Sequence, residues 1–290
     1  MTSSIGTTMR TTLVGSYPLP AWLRAAPSRE GVLDATSVVL ALQRRLGIEL
    51  LTDGELSRFD VNHPETNGMI EYFVRPLGGV RSAVTRTDVA RFAAQPHMGF
   101  RARPAGVVTG ALDEGTLDLV GAYRTARSLA PGPLKFTVTS PYMLARTLLD
   151  EHYGDLRTLA AIAEVLAAQV REIDADVLQV DEANVPGRPE DAELAAEVIN
   201  TVLAAAPGAP AVHLCFGNYS GQRVQRGRMH ELYPFFAALR ADHVVLEAAR
   251  HDTEDLKILG ELDNLRFGIG VIDVKDTQVE TADQVAARIE

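Results

Sequence analysis

The chain has 290 residues, a length that accommodates two ordinary domains or one large α/β barrel. Its composition, 46% apolar and 23% charged, is that of a globular protein and excludes wholesale disorder, collagen-like repeats and coiled coil. Acidic residues outnumber basic ones by 38 to 28, a net charge of −10, and no dense Lys/Arg run is available to track phosphates, so nucleic acid is not an expected partner.

The first ten residues are Ser/Thr-rich and lack the apolar core of a signal peptide. Cys215, the single cysteine, precludes an internal disulfide and points to a reducing compartment or to a chemical use for the thiol, a small buried hydrophobe being the plainer reading; a cytoplasmic location is expected. Residues 198–222 carry no formal charge apart from any on His213. Pro207, Gly208 and Pro210 divide them into a helix end, a turn and a short strand, which argues against a membrane span.

In chain order, the first β-branched run is 11–16, ending at Ser16. The second, 50–55, leads into Thr52-Asp53-Gly54-Glu55-Leu56-Ser57-Arg58. Gly54 allows a tight turn, Glu55 can project beyond the strand, and Arg58 can pair with an acid or grip an anion. The same residues also read as a plain helix start with an ion pair. Residues 61–131 form a long gap containing an extended stretch, 105–112, and are expected to be an insertion that covers or flanks a site as a lid or hairpin. A third strand, 134–140, ends at Ser140, and helical spacing follows over 156–174.

The strand 177–181 runs into Gln179-Val180-Asp181-Glu182-Ala183-Asn184. Adjacent carboxylates on a strand face opposite ways, and Asp181 shares its face with Val177 and Gln179. An acidic surface turn is the plainer reading of the same residues. After a helical stretch at 189–205 comes the strand 211–217, containing His213-Leu214-Cys215. Residues i and i+2 of a strand project to the same side, about 6 to 7 Å apart, so the imidazole and the thiol can reach one metal. Zn²⁺ accepts both donors together with a carboxylate. Helical spacing at 229–240 precedes the strand 243–247, whose terminal Glu247 is a natural third ligand; a pair of interior strand residues and a turn-capping acid would look the same. The last strand, 268–274, carries Asp273 near its end.

Strands alternating with helices predict a parallel sheet. Polar residues gather at the C-terminal end of each strand, as at the mouth of a barrel, and neither a dinucleotide-binding nor a P-loop glycine motif is present. A TIM (β/α)8-type barrel is therefore expected.

The stretches TTLVGSYPLP (11–20), GIELLTDGELSRFD (47–60), LQVDEANVP (178–186), VHLCFGNYSG (212–221), VVLEAAR (244–250) and GIGVIDVKDTQVET (268–281), in this order and across nearly the whole chain, resemble the C-terminal catalytic barrel of cobalamin-independent methionine synthase and its shorter single-barrel relatives. The resemblance implies one catalytic barrel over 1–290 with the insertion at 61–131, and Zn²⁺ held by His213, Cys215 and Glu247. It implies that Ser16, Glu55 and Asp181, with Arg58 beside them, receive the amino and carboxylate groups of homocysteine. Methyl transfer to the substrate thiol would give methionine. Lys275 stands where full-length relatives carry a proton-donating histidine, and with Asp181 it completes the expected catalytic pair.

Two departures widen the expectation. Thr139-Ser140-Pro141-Tyr142 replaces the family's folate-stacking tryptophan, so a methylcorrinoid protein stands beside methylfolate as the methyl donor. The sequence ends at Glu290, in the helix that should precede the family's last strand and its second zinc cysteine, so the expectation is a barrel without that strand, which is either a truncated sequence, a site with three protein ligands, or a degenerate relative with impaired metal binding. Two related readings are an epoxide:thiol alkyltransferase of the coenzyme M type and a non-catalytic, C-terminally incomplete paralogue. A uroporphyrinogen-decarboxylase-like activity is disfavoured because it leaves His213 and Cys215 without a task.

Overall fold

The computed structural model describes residues 9–63, 65–95, 101–154, 156–219, 222–223, 227–251, 253–274 and 276–289. Its centre is a sheet of six parallel strands: β1 (Leu51–Thr52), β2 (Leu134–Thr139), β3 (Val177–Glu182), β4 (Ala209–Leu214), β5 (His243–Glu247) and β6 (Arg266–Gly270). They lie side by side in chain order, and Thr12 adds a parallel bridge to Leu50 at the outer side of β1. Seven successive strand positions thus follow one another, as in a barrel wall, with helices between most of them. Among the described residues, β6 pairs with β5 alone.

Strand periodicity divides the buried residues into two layers. Leu134, Phe136, Val138, Leu178, Val180, Val212, Leu214, Val244 and Leu246 join the main hydrophobic cluster with the flanking helices. Leu50, Val177 and Ala211 form a small apolar plug on the other face. Above it, on the same strand faces, stand Lys135, Thr137, Gln179, Asp181 and His213. The interior therefore begins apolar and becomes polar towards the C-terminal strand ends, where barrel sites are built.

The helices start where the sequence supplies caps. Ser28 accepts the Gly31 amide at the start of the helix Arg29–Arg45, and Ser140 caps Pro141–Ala145. Ser140 is thereby used as a cap, and the strand ends one residue before it. The helices Arg157–Val170 and Ala192–Leu203 bury Ala, Leu, Ile and Val against the outer face of the sheet. Gly78–Arg81 and Val107–Asp113, both between β1 and β2, pair antiparallel, and Val107–Asp113 pairs in parallel with Leu149–Asp150, which follows β2, to make a separate three-stranded sheet. No helix among the described residues is long and apolar enough to cross a membrane.

Candidate active site

The short strand β1 ends in a turn with an unusual backbone. Gly54 and Glu55 both adopt left-handed conformations, φ 73° and 58°, and Glu55 is the only non-glycine residue to do so among those described. A left-handed non-glycine residue costs about 1–2 kcal/mol. Three contacts hold it: Asp53 Oδ1 accepts the Glu55 amide at 2.9 Å, the Tyr17 amide donates to Gly54 O at 2.9 Å, and buried Gln43 pairs with both backbone groups of Thr52.

The turn delivers the Glu55 carboxylate inward, where it is surrounded by donors. Ser16 Oγ donates to Oε2, Thr137 Oγ1 donates to Oε1 at 2.8 Å, and the Arg58 guanidinium lies 3.0 Å from Oε2. Arg58 is itself buried, donating to Thr137 O at 2.7 Å and stacking over Phe73 with 5.0 Å to the ring centroid. Gly15 makes room for this arrangement, since a Cβ there would fall on the Glu55 carboxylate. Burial raises the pKa of Asp53 beneath the turn, against the pull of its hydrogen bond to Glu55 and of Arg58.

Asp181 approaches from β3. Its Oδ1 accepts Gln179 Nε2 at 2.7 Å and lies 3.2 Å from His213 Nδ1. Its Oδ2 is buried and has no hydrogen-bond partner in the structure. A carboxylate at Nδ1 holds the ring proton there and leaves Nε2 as a lone-pair donor, the arrangement usual for a metal-ligating histidine. Lys135, wholly buried on β2, lies below; its pKa falls to about 8 because burial outweighs the attraction of Asp181 and Glu55.

On the far side, strand register sets His213 opposite Val245, so Cys215 and Glu247 occupy the next positions on the same faces of β4 and β5. The Cys215 amide continues the ladder to Glu182 O at 3.0 Å, and its Sγ accepts the Gly217 amide at 3.4 Å. Imidazole, thiolate and carboxylate suit Zn²⁺ as a donor set. Among the described residues, no three His, Cys, Asp or Glu side chains are gathered closely enough to hold an ion. The donor types and faces therefore fit the metal, while closing them on it requires movement of their side chains.

The structure thus brings together Ser16, Glu55, Arg58, Asp181 and His213, and lines up Cys215 and Glu247 beyond them. Arg58 braces Glu55. Lys275 lies outside the described residues. Lys135 and Thr137 belong to no sequence motif, and the signal that places them on an interior face is period-2 spacing along β2; Gln179 shares the face of Asp181 by the same spacing.

Residues 9–290 match the family model described as cobalamin-independent synthase, catalytic domain. The chain belongs to this family. It is 27% identical to the methionine synthase of Sulfolobus acidocaldarius over 97% of this chain and 79% of that protein. The methionine synthase of Thermococcus kodakarensis is also 27% identical, over 96% of this chain and 80% of its own length. Among solved structures, the B12-independent methionine synthase from Shewanella sp. W3-18-1, in complex with selenomethionine, superimposes with a TM-score of 0.78 at 22% identity, covering 96% of this chain and 84% of that one. The putative vitamin-B12 independent methionine synthase from Listeria monocytogenes gives 0.66 at 17% identity, covering 97% and 86%. The barrel architecture of the cobalamin-independent synthases is thus shared with this member.

Proposed function

We propose that the chain is a zinc-dependent methyltransferase that moves a methyl group from methylfolate or a methylcorrinoid to the thiol of homocysteine, giving methionine. The observation that carries this reading is the pair of buried carboxylates, Glu55 and Asp181, at the barrel mouth, with Asp181 Oδ1 3.2 Å from His213 Nδ1 and Cys215 two residues further along the same strand face. Asp181 Oδ2, an acceptor without a donor, suits a substrate ammonium. Ser16, which donates to Glu55, can turn its hydroxyl to a substrate carboxylate, and Arg58 braces Glu55 in place.

His213, Cys215 and Glu247 would hold the metal. Bound zinc supplies Lewis acidity that keeps a thiol deprotonated at neutral pH. In the reaction the thiol loses its proton, the sulfur–methyl bond forms, and the methyl–donor bond breaks with its electron pair on the donor. Asp181 fixes the His213 ring and helps to place the amino acid, and Lys275 is assigned the proton-donor position. The family's description as cobalamin-independent favours the folate donor. We take 1–290 as one catalytic unit with 61–131 as its insertion. A reducing cytoplasm suits a reaction that needs Cys215 and the substrate thiol reduced.

The test is zinc per chain by elemental analysis on protein prepared without chelator, with Cys215→Ser in parallel, followed by methionine formation from homocysteine with each donor. About one zinc per chain, lost in the variant, together with methionine formation is the expected result. Absence of zinc from both proteins after reconstitution overturns the reading. Turnover of a sulfonated thiol with an epoxide, and none of homocysteine, would replace it with the alkyltransferase.

A further inference from the structure

Residues 13–15 run past the barrel interior with little ladder support: the bridge Thr12 to Leu50 is the one strand pairing in this segment. Leu13 and Val14 expose 37% and 41% of their surface, so apolar burial does little to hold them. Yet this segment must set Ser16 against Glu55. Three interior side chains take its three successive carbonyls. Lys135 Nζ donates to Leu13 O at 2.5 Å, Gln179 Nε2 to Val14 O at 3.0 Å, and Thr52 Oγ1 to Gly15 O at 3.2 Å. These residues come from β2, β3 and β1, so each clamp reaches from a different strand.

We infer that Lys135 is a positioning residue for the amino-acid subsite, clamping the 13–15 segment so that Ser16 and Glu55 meet while balancing the charge of Asp181 and Glu55 from below. The inference rests on the proposed homocysteine reading for its kinetic expression and on the structure alone for the clamp. A fully buried amine is costly unless hydrogen-bonded and paired, and an apolar residue would fill the same volume at less cost if packing were its whole task. Its lowered pKa agrees with this placement. Gln179 links the same segment to the site, since its amide group bridges Val14 O and Asp181 Oδ1.

The experiment is Lys135→Met in the zinc-loaded full chain, with homocysteine KM, kcat and zinc content measured beside backbone amide exchange. The expected result is a KM raised about tenfold with kcat within about threefold, because a misplaced binding group weakens capture more than chemistry. Zinc content should be unchanged, and exchange should accelerate over residues 11–17 without a general rise elsewhere. A purely structural role would instead raise exchange throughout and leave KM alone. If Lys135→Met does not fold, Lys135→Gln, which removes the charge and shortens the reach to Leu13 O while keeping a polar group in the site, is read in the same way. Unchanged KM and unchanged exchange at 11–17 in a folded variant overturn the inference. If the wild-type protein does not bind homocysteine, the functional reading fails, and local exchange alone decides the clamp.

Discussion

The two sides of the barrel mouth are built differently. Around Glu55, every polar group already has a partner: Ser16, Thr137 and Arg58 converge on one carboxylate, a strained turn aims it, and Gly15 clears its space. Around Cys215, strand register sets His213, Cys215 and Glu247 on the interior faces, but the three side chains are not drawn together. The chain alone preorganises the half that would grip an amino acid. The other half supplies donors whose closure would come from the metal, as expected when binding free energy is used to complete a site.

The strongest way to break this contrast is Arg58→Met. It leaves Glu55 buried without its cation, and losing one partner of a buried pair costs about 3–5 kcal/mol. Urea unfolding should show a loss of that order, while zinc content of the folded fraction stays at the wild-type level. A small loss would mean that water replaces the guanidinium and that this half is less rigid than its hydrogen bonds suggest.

Metal removal probes the opposite side. Zinc added to chelator-treated protein at about 100 times its dissociation constant should stabilise the wild type by about 2.7 kcal/mol, read as a rise in melting temperature, and should leave Cys215→Ser unmoved. Equal stabilisation of both would place the ion elsewhere.

Gly15→Ala sharpens the difference between gripping and metal binding. The added methyl displaces the Glu55 carboxylate, so homocysteine KM should rise about tenfold while zinc stays bound. Parallel loss of zinc would show that the two halves are mechanically coupled.

What was legible in the sequence follows the same division. The strand positions could be read because each is a short run of apolar and β-branched residues bounded by polar ones, near-continuous in β2 and β3, which are buried on both faces. Asp181 could be assigned inward because period 2 places it with Val177 and Gln179, and the same spacing puts His213 and Cys215 on one face without saying whether they hold a metal. The left-handed Glu55 could not be read, since Gly54 signals a turn but does not say that its neighbour shares the conformation. Lys135 was hidden for a different reason. A lysine in a strand ordinarily reads as a strand end or an exposed face, and only the third dimension brings Leu13 O over it, 122 residues away in sequence.

Asp53→Asn is expected to have the smallest effect, and it asks whether the rigid half is tense. The raised pKa means that the folded state binds this proton more tightly than the unfolded chain does. Its stabilising contribution is complete below the ordinary aspartate pKa and is lost as pH rises through the folded value, so at neutral pH the ionised group works against folding. Asparagine keeps an oxygen for the Glu55 amide and removes the buried charge. The variant should therefore be more stable than the wild type at pH 7, by about 1 kcal/mol or about 2–4 °C in melting temperature, with the advantage shrinking as the pH is lowered towards 4. A variant that is less stable at both ends would show that the Asp53 charge is needed against Arg58, and that the turn beneath Glu55 is held by electrostatics as well as by its hydrogen bonds.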